Sequence, residues 1–154
     1  MDKITIRSAT EDDLETLVTL NNQIFVNNPQ YDDDIVLDFS LTPEGRKYFK
    51  EAIEKSDCFL IAEEDRKMIG YVNGKRKGIS HRKSRYFEIV NLGVLPEKKK
   101  RGIGKLLLQS ITNWAKEHNY QKIYLDCYAK NIEALDFYQK NNFKQINIIL
   151  EKVI

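Results

Sequence analysis

The chain has 154 residues, 42% of them hydrophobic, with 25 Lys and Arg against 23 Asp and Glu, for a net charge of +2. That length suits one domain with a real core (1–154), and no apolar run is long enough to cross a bilayer. Neither a membrane partner nor a leader is expected, since Met1-Asp2-Lys3-Ile4 shows no apolar h-region. Charge is segregated: residues 1–65 sum to −10 and residues 66–105 to +11. Such asymmetry points to a polyanion near the middle of the chain.

Lys3-Ile4-Thr5-Ile6-Arg7 alternates and predicts a first strand. Thr10 offers an N-cap with Asp13 as its partner, and Leu14, Leu17, Val18, Ile24 and Phe25 recur at helical spacing, predicting a helix over 11–26. Asp32-Asp33-Asp34 reads as a solvated loop, although carboxylates there would also attract a cationic substrate. Thr42-Pro43-Glu44 starts a second helix, running to about residue 55. Cys58 to Ala62 is a strand apolar on both faces, and Met68 to Asn73 returns beside it as an antiparallel hairpin. The basic connection 74–85 lacks interleaved aromatics, so stacking on nucleic-acid bases is not expected.

Tyr86 to Val94 predicts another strand, and strict alternation puts Glu88, Val90, Leu92 and Val94 on one face. Glu88 is either a carboxylate reaching solvent or a general base. A long helix follows from Gly102, with Trp114 on its core face, then a strand carrying Ile123, Leu125 and Cys127. Asn131 caps a short helix that ends at Asn141-Asn142, where Asn supplies a left-handed turn. Ile146, Ile148 and Leu150 share a face of a final strand, Phe143 to Ile154. The order β-α-α-β-β-β-α-β-α-β predicts an α/β sandwich with a mixed sheet. Cys58 and Cys127 read as reduced thiols of a cytoplasmic protein, and neither they nor His81 and His118 have metal-ligand spacing, so no metal is expected.

Between the strand ending at Val94 and the next helix lie Lys98-Lys99-Lys100-Arg101-Gly102-Ile103-Gly104-Lys105. A helix start with unpaired N–H groups, glycines and cations suits a phosphate or pyrophosphate. The Walker pattern fails, because Lys99 and Leu106 stand where Gly and Ser or Thr are required. A dinucleotide fingerprint fails at Leu107. A solvated basic loop remains the alternative.

Two motifs carry a family resemblance. Val94-Leu95-Pro96-Glu97-Lys98-Lys99-Lys100-Arg101-Gly102-Ile103-Gly104 follows V-x-P-x-x-[RQ]-x-x-G-x-[GA], with Lys99 as its departure. Residues Asn131 to Phe143 follow N-x-x-A-x-x-[FL]-Y-x-K-x-G-F, with Asn142 in place of Gly. With this spacing the chain resembles the GNAT superfamily of acyl-CoA-dependent N-acetyltransferases. The resemblance implies a mostly antiparallel splayed sheet flanked by helices, with a bulge near Asn91. It implies pantetheine pairing with Leu92 and Val94, and pyrophosphate on the backbone of Lys99, Lys100, Arg101, Gly102, Ile103, Gly104 and Lys105. Side chains of Lys100 and Arg101 would assist, and Asn131 would border the cofactor.

It further implies acetyl transfer from acetyl-CoA to the primary amine of a small molecule or protein, by direct attack in a ternary complex. Tyr138 would protonate the leaving thiolate. The Glu that many relatives carry four residues before the motif's Val is Val90 here, leaving Glu88 or a water chain as base. A homodimer is compatible with the resemblance. The competing reading is an acyl-CoA-binding or nucleic-acid-binding module without catalysis.

Overall fold

A computed structural model describes residues 3–154. Met1 and Asp2, part of the stretch read for a leader, lie outside the described residues. The elements are β1 (Ile4–Ser8), α1 (Leu14–Phe25), α2 (Pro43–Lys55), β2 (Cys58–Glu64), β3 (Lys67–Lys77), β4 (Tyr86–Val94), α3 (Ile103–Glu117), β5 (Lys122–Tyr124) and α4 (Ile132–Lys140). One sheet orders the strands β1-β2-β3-β4-β5. Neighbours are antiparallel except β4 and β5, which are parallel.

Local sequence accounts for most boundaries. The Thr42 hydroxyl accepts from the Gly45 N–H at 3.0 Å, with Pro43 behind it, starting α2. The first helix begins as a 3₁₀ turn over Glu11–Asp13, where the Asp13 carboxylate accepts from the Thr10 N–H at 2.8 Å. Asp65 and Arg66 both hold positive φ, 51° and 62°, the two-residue turn that suits the twist of the β2–β3 hairpin.

The sheet is covered on both faces because its central strands are apolar on both. Ala62, Val72, Phe87 and Ile89 join Ile103, Leu107, Leu108 and Ile111 of α3 in one cluster. Phe59, Ile61 and Tyr71 join Leu17, Leu20, Ile24 and Phe49 of α1 and α2 in the other. Tyr71 is fully buried, and its hydroxyl is satisfied by the Asn21 amide at 2.6 Å.

Two expectations are corrected. Among the described residues, 143–154 form no strand, so the element order stops at α4. Strand β5 is also short: only Lys122–Tyr124 pair, and Leu125 and Cys127 lie beyond its ladder. Both segments have the alternation of strands, but alternation marks a chain able to pair and does not supply the pairing edge.

Candidate acyl-CoA site

The cradle begins where β4 leaves the sheet. The Leu95 N–H still bonds Ile69 at 2.9 Å, after which Pro96–Lys98 make a 3₁₀ turn. Lys100 and Gly102 take positive φ, 60° and 81°, on either side of Arg101 and swing the chain into α3. The Leu106 N–H reaches the Gly102 carbonyl at 3.0 Å. The N–H groups of Ile103, Gly104 and Lys105 therefore precede the helix's own ladder, at its positive end. A Cβ placed on Gly102 would meet nothing within 4 Å, so the space above this backbone is open. Left-handed residues flanking a helix start make an anion-binding concavity, and a pyrophosphate fits this chemistry.

The cations divide into two groups. Glu64, at the end of β2, is 5% exposed and takes both guanidinium nitrogens of Arg101, at 2.5 and 3.2 Å, together with the Lys98 ammonium. Hydrogen bonds from Arg101 and then Lys98 pull the Glu64 carboxyl down to about 2. The Arg101 guanidinium, its side chain 42% exposed, thus ties the loop to the sheet. Lys99 reaches Glu133 of α4 at 3.8 Å. Lys100 and Lys105 are exposed beside the helix start.

Next to this cradle the sheet opens. Strand β4 pairs with β3 over residues 86–94, but with β5 only at Tyr86, Phe87 and Glu88. Its outer edge from Ile89 to Val94 has no strand partner among the described residues. Leu92 and Val94 lie on that open stretch, where an extended pantetheine arm can add as a strand. Residue pairing jumps from Asn73–Asn91 to Gly74–Ile89, so Val90 is the extra residue of a bulge.

The bulge overturns the predicted face of Glu88. Phe87 and Ile89 before it, and Leu92 and Val94 after it, all belong to the α3 cluster. Glu88 consequently points to the opposite face, toward which Gly93 also turns, a Cβ there falling 2.6 Å from Ile24. The Glu88 carboxylate pairs with Lys77 at 3.0 Å, raising the lysine's pKa, and that ammonium sits 5.0 Å from the Tyr124 ring centre. At the bulge, the buried Asn73 donates to Ser56 (3.1 Å), while Asn91 donates to Asn73 (3.1 Å) and to the Tyr48 hydroxyl (3.4 Å). Sequence reading passed over this polar chain; its signal was a pair of asparagines inside otherwise apolar strands.

Helix α4 closes the other side. Asn131 caps it, accepting from the Ala134 N–H at 3.1 Å. Phe137 lies over the first turn of α3, 3.7 Å from a Cβ placed on Gly104. The Tyr138 ring is held between Phe137 and Phe143, with centroids 5.3 and 5.4 Å away. Burial, with Cys127 nearby, pushes the Tyr138 phenol well above its usual range. Asn142 takes φ 67° after the helix, the left-handed turn expected of it. Tyr31, from the α1–α2 connection, stacks on Tyr128 at 6.0 Å, bringing Asp32 close enough to raise the Tyr128 phenol behind the larger effect of burial.

An anion-binding helix start beside a parallel pair that splays apart suits an extended, phosphate-bearing co-substrate. Residues 17–143 match the Acetyltransferase (GNAT) family, and the chain belongs to it. An N-alpha-acetyltransferase of Saccharolobus solfataricus is 26% identical over 153 residues, covering 94% of this chain and 83% of the relative. The BH1408 protein from Bacillus halodurans, solved as a tetramutant, superposes with a TM-score of 0.82 at 22% identity, over 97% and 99% of the two chains. The aminoglycoside N-acetyltransferase AAC(6')-Iy, solved with CoA, superposes with a TM-score of 0.76 at 18% identity, over 100% and 96%. The protein is an acetyl-CoA-dependent acetyltransferase.

Proposed function

We propose that this chain transfers the acetyl group of acetyl-CoA to a free α-amino group of a peptide or protein, by direct attack in a ternary complex in the cytoplasm. The observation that carries the transfer is the open edge of β4, Ile89 to Val94, followed across the 95–102 loop by the unladdered N–H groups of α3. One continuous surface can pair with a pantetheine arm and hold its pyrophosphate. Holding the amine against the thioester supplies much of the rate by proximity, and a backbone N–H near Val94 takes up oxyanion charge in this reading. Tyr138, a phenol that holds its proton at neutral pH, donates to the departing sulfur. Free Cys58 and Cys127 suit a reducing compartment.

The preference for an α-amine rests on what the site offers as a base. Glu88 is tied to Lys77 on the face away from Leu92 and Val94, and Val90 replaces the carboxylate of many relatives. An α-amine, with a pKa of about 7.7–8.0, is roughly one-quarter to two-fifths neutral at pH about 7.5, whereas a lysine is about one part in a thousand neutral. A site without a strong base therefore favours the former. The name of the Saccharolobus relative supports the same choice, and Asp32 beside Tyr128 suits a substrate that arrives as a cation. Thiol release should be measured with acetyl-CoA and two forms of one peptide. The expected result is turnover with a free N-terminus, and loss of turnover when that amine is blocked and only lysine remains. Faster turnover of the blocked peptide would refute the reading.

A further inference from the structure

The cradle uses residues 98–105 and leaves the other half of the basic segment without a role. Residues 74–85 hold six Lys and Arg and no Asp or Glu. They lie at the far end of β4, about 25 Å along the strand from the cradle. A CoA whose phosphates sit at the start of α3 leaves them unanswered. Register places them: Lys77 and Lys122 flank Tyr86 on the neighbouring strands, and Lys75 and Tyr124 flank Glu88 in the next row. Ile123, between Lys122 and Tyr124, packs with the α3 cluster. Both rows therefore face the other side of the sheet, the side of Glu88, Asn91 and Gly93.

Arg82, from the β3–β4 loop, folds back over the Tyr86 ring, 4.9 Å from its centre, and the Lys122 ammonium is 5.9 Å from the same centre. The two charges are at most about 11 Å apart, near the screening length at moderate salt. Carboxylates answer only part of this charge. Glu88 pairs with Lys77 at 3.0 Å, and Asp126 acts more weakly on the same lysine. Among the described residues, Arg82 and Lys122 make no salt bridge. Lys77, Arg82 and Tyr124 line an open groove with Ile79 and Ile146. Two like charges gathered on one ring beside an apolar wall, with no counter-charge, suit an anionic ligand.

We propose that this groove is a subsite for acidic side chains of the acceptor peptide, at about its fourth to sixth residues. The proposal rests on the α-amine reading above, with the amine at the β4 bulge on the side where Asp32 nears Tyr128. From Val90 to Tyr86 is about 13 Å of strand, a span that an extended peptide starting at the bulge covers by about its fifth residue. The long side chains of Arg82 and Lys122 widen that by about a residue either way. Such a peptide sets its ammonium toward carboxylates and its acidic side chains toward cations, so the segregated charge of this chain orients its substrate. Nucleic acid fits the same charge less well. Tyr86 is 4% exposed with Arg82 and Lys122 over its ring, and Arg85 lies 4.3 Å from the Tyr120 centre, so these rings offer bases no stacking face.

Steady-state kinetics with four peptides separate this inference from the reading beneath it. All share their first three residues and one internal lysine, carry either acidic or neutral residues at positions four to six, and have either a free or an acetylated N-terminus. The free acidic peptide is expected to show a KM about 3- to 10-fold below that of the free neutral one at similar kcat, a gap that narrows as salt is raised. Arg82→Ala with Lys122→Ala should abolish the gap, and Arg82→Glu with Lys122→Glu should invert it toward a peptide bearing arginines there. The thermal shift with acetyl-CoA reports that each variant is folded. Equal KM values for the two free peptides, or a gap that survives in the alanine variant, would overturn the subsite and leave the α-amine reading standing. Equal turnover of free and blocked peptides, or none of either, would remove that reading and the subsite with it. A short single-stranded RNA that binds the wild type more tightly than the acidic peptide, and loses binding in the alanine variant, would assign the surface to nucleic acid instead.

Discussion

Replacing Gly102 by alanine separates the backbone of the cradle from its charges. Gly102 sits at φ 81°, and a Cβ there would touch nothing within 4 Å, so no side-chain clash contributes. What remains is the cost of holding an L-residue in the left-handed region, about 1–2 kcal/mol. That cost has two outlets. If the loop keeps its shape, the folded state bears the strain, and the melting temperature falls by about 2–8 °C for a chain of this size. If the loop relaxes to negative φ, the N–H groups of Ile103 to Lys105 lose their aim, and the Kd for CoA rises about 5- to 30-fold. Differential scanning fluorimetry and titration calorimetry together capture both. Gly104→Ala is the control, because its nearest neighbour, the Phe137 ring, would be at an ordinary 3.7 Å and alanine favours the helix. A Gly102→Ala protein with unchanged melting and unchanged CoA affinity would refute the argument that backbone geometry, rather than the run of cations, makes this site.

The remaining expectations concern ionisation, chemistry and packing. Because Arg101 and Lys98 depress Glu64 to about 2, its stabilising contribution is complete above the unfolded value of about 4.3 and is lost as pH falls toward 2. Thermal melts across that window should drop more steeply for wild type than for Glu64→Gln, and parallel curves would remove Glu64 as the anchor. Tyr138→Phe should lower kcat by about 10²-fold or more with little change in the KM for acetyl-CoA, if its proton serves the leaving thiolate; steady-state kinetics that leave kcat intact would exclude that role. Glu88→Gln should alter the pH dependence of kcat/KM little, since the carboxylate is already engaged by Lys77; loss of the acid-side limb, where rate rises with pH, would reinstate it as base. Leu107→Ala, at a fully buried position under the sheet, should cost about 2–5 kcal/mol in a denaturant titration.

The sequence carried everything that depends on neighbours along the chain. Thr42-Pro43 starts a helix wherever it lies, Gly102 and Asn142 supply left-handed turns, and the loop from Val94 to Gly104 specifies an exposed helix start. Those local facts, with the second motif over Asn131 to Phe143, were enough to reach the family and its co-substrate. What tertiary structure decided depends on partners across the sheet. One inserted residue, Val90, moves Glu88 to the other face from Leu92 and Val94, and strict alternation cannot reveal it because a bulge exists only relative to the partner strand. Glu64 and Arg101, 37 residues apart, meet only because β2 and the cradle end at the same corner of the fold, which makes Arg101 an anchor of the loop, a role the sequence did not reveal. Residues 143–154 show the same limit from the other side: alternation gives a segment the capacity to pair, and only an edge in space makes it a strand.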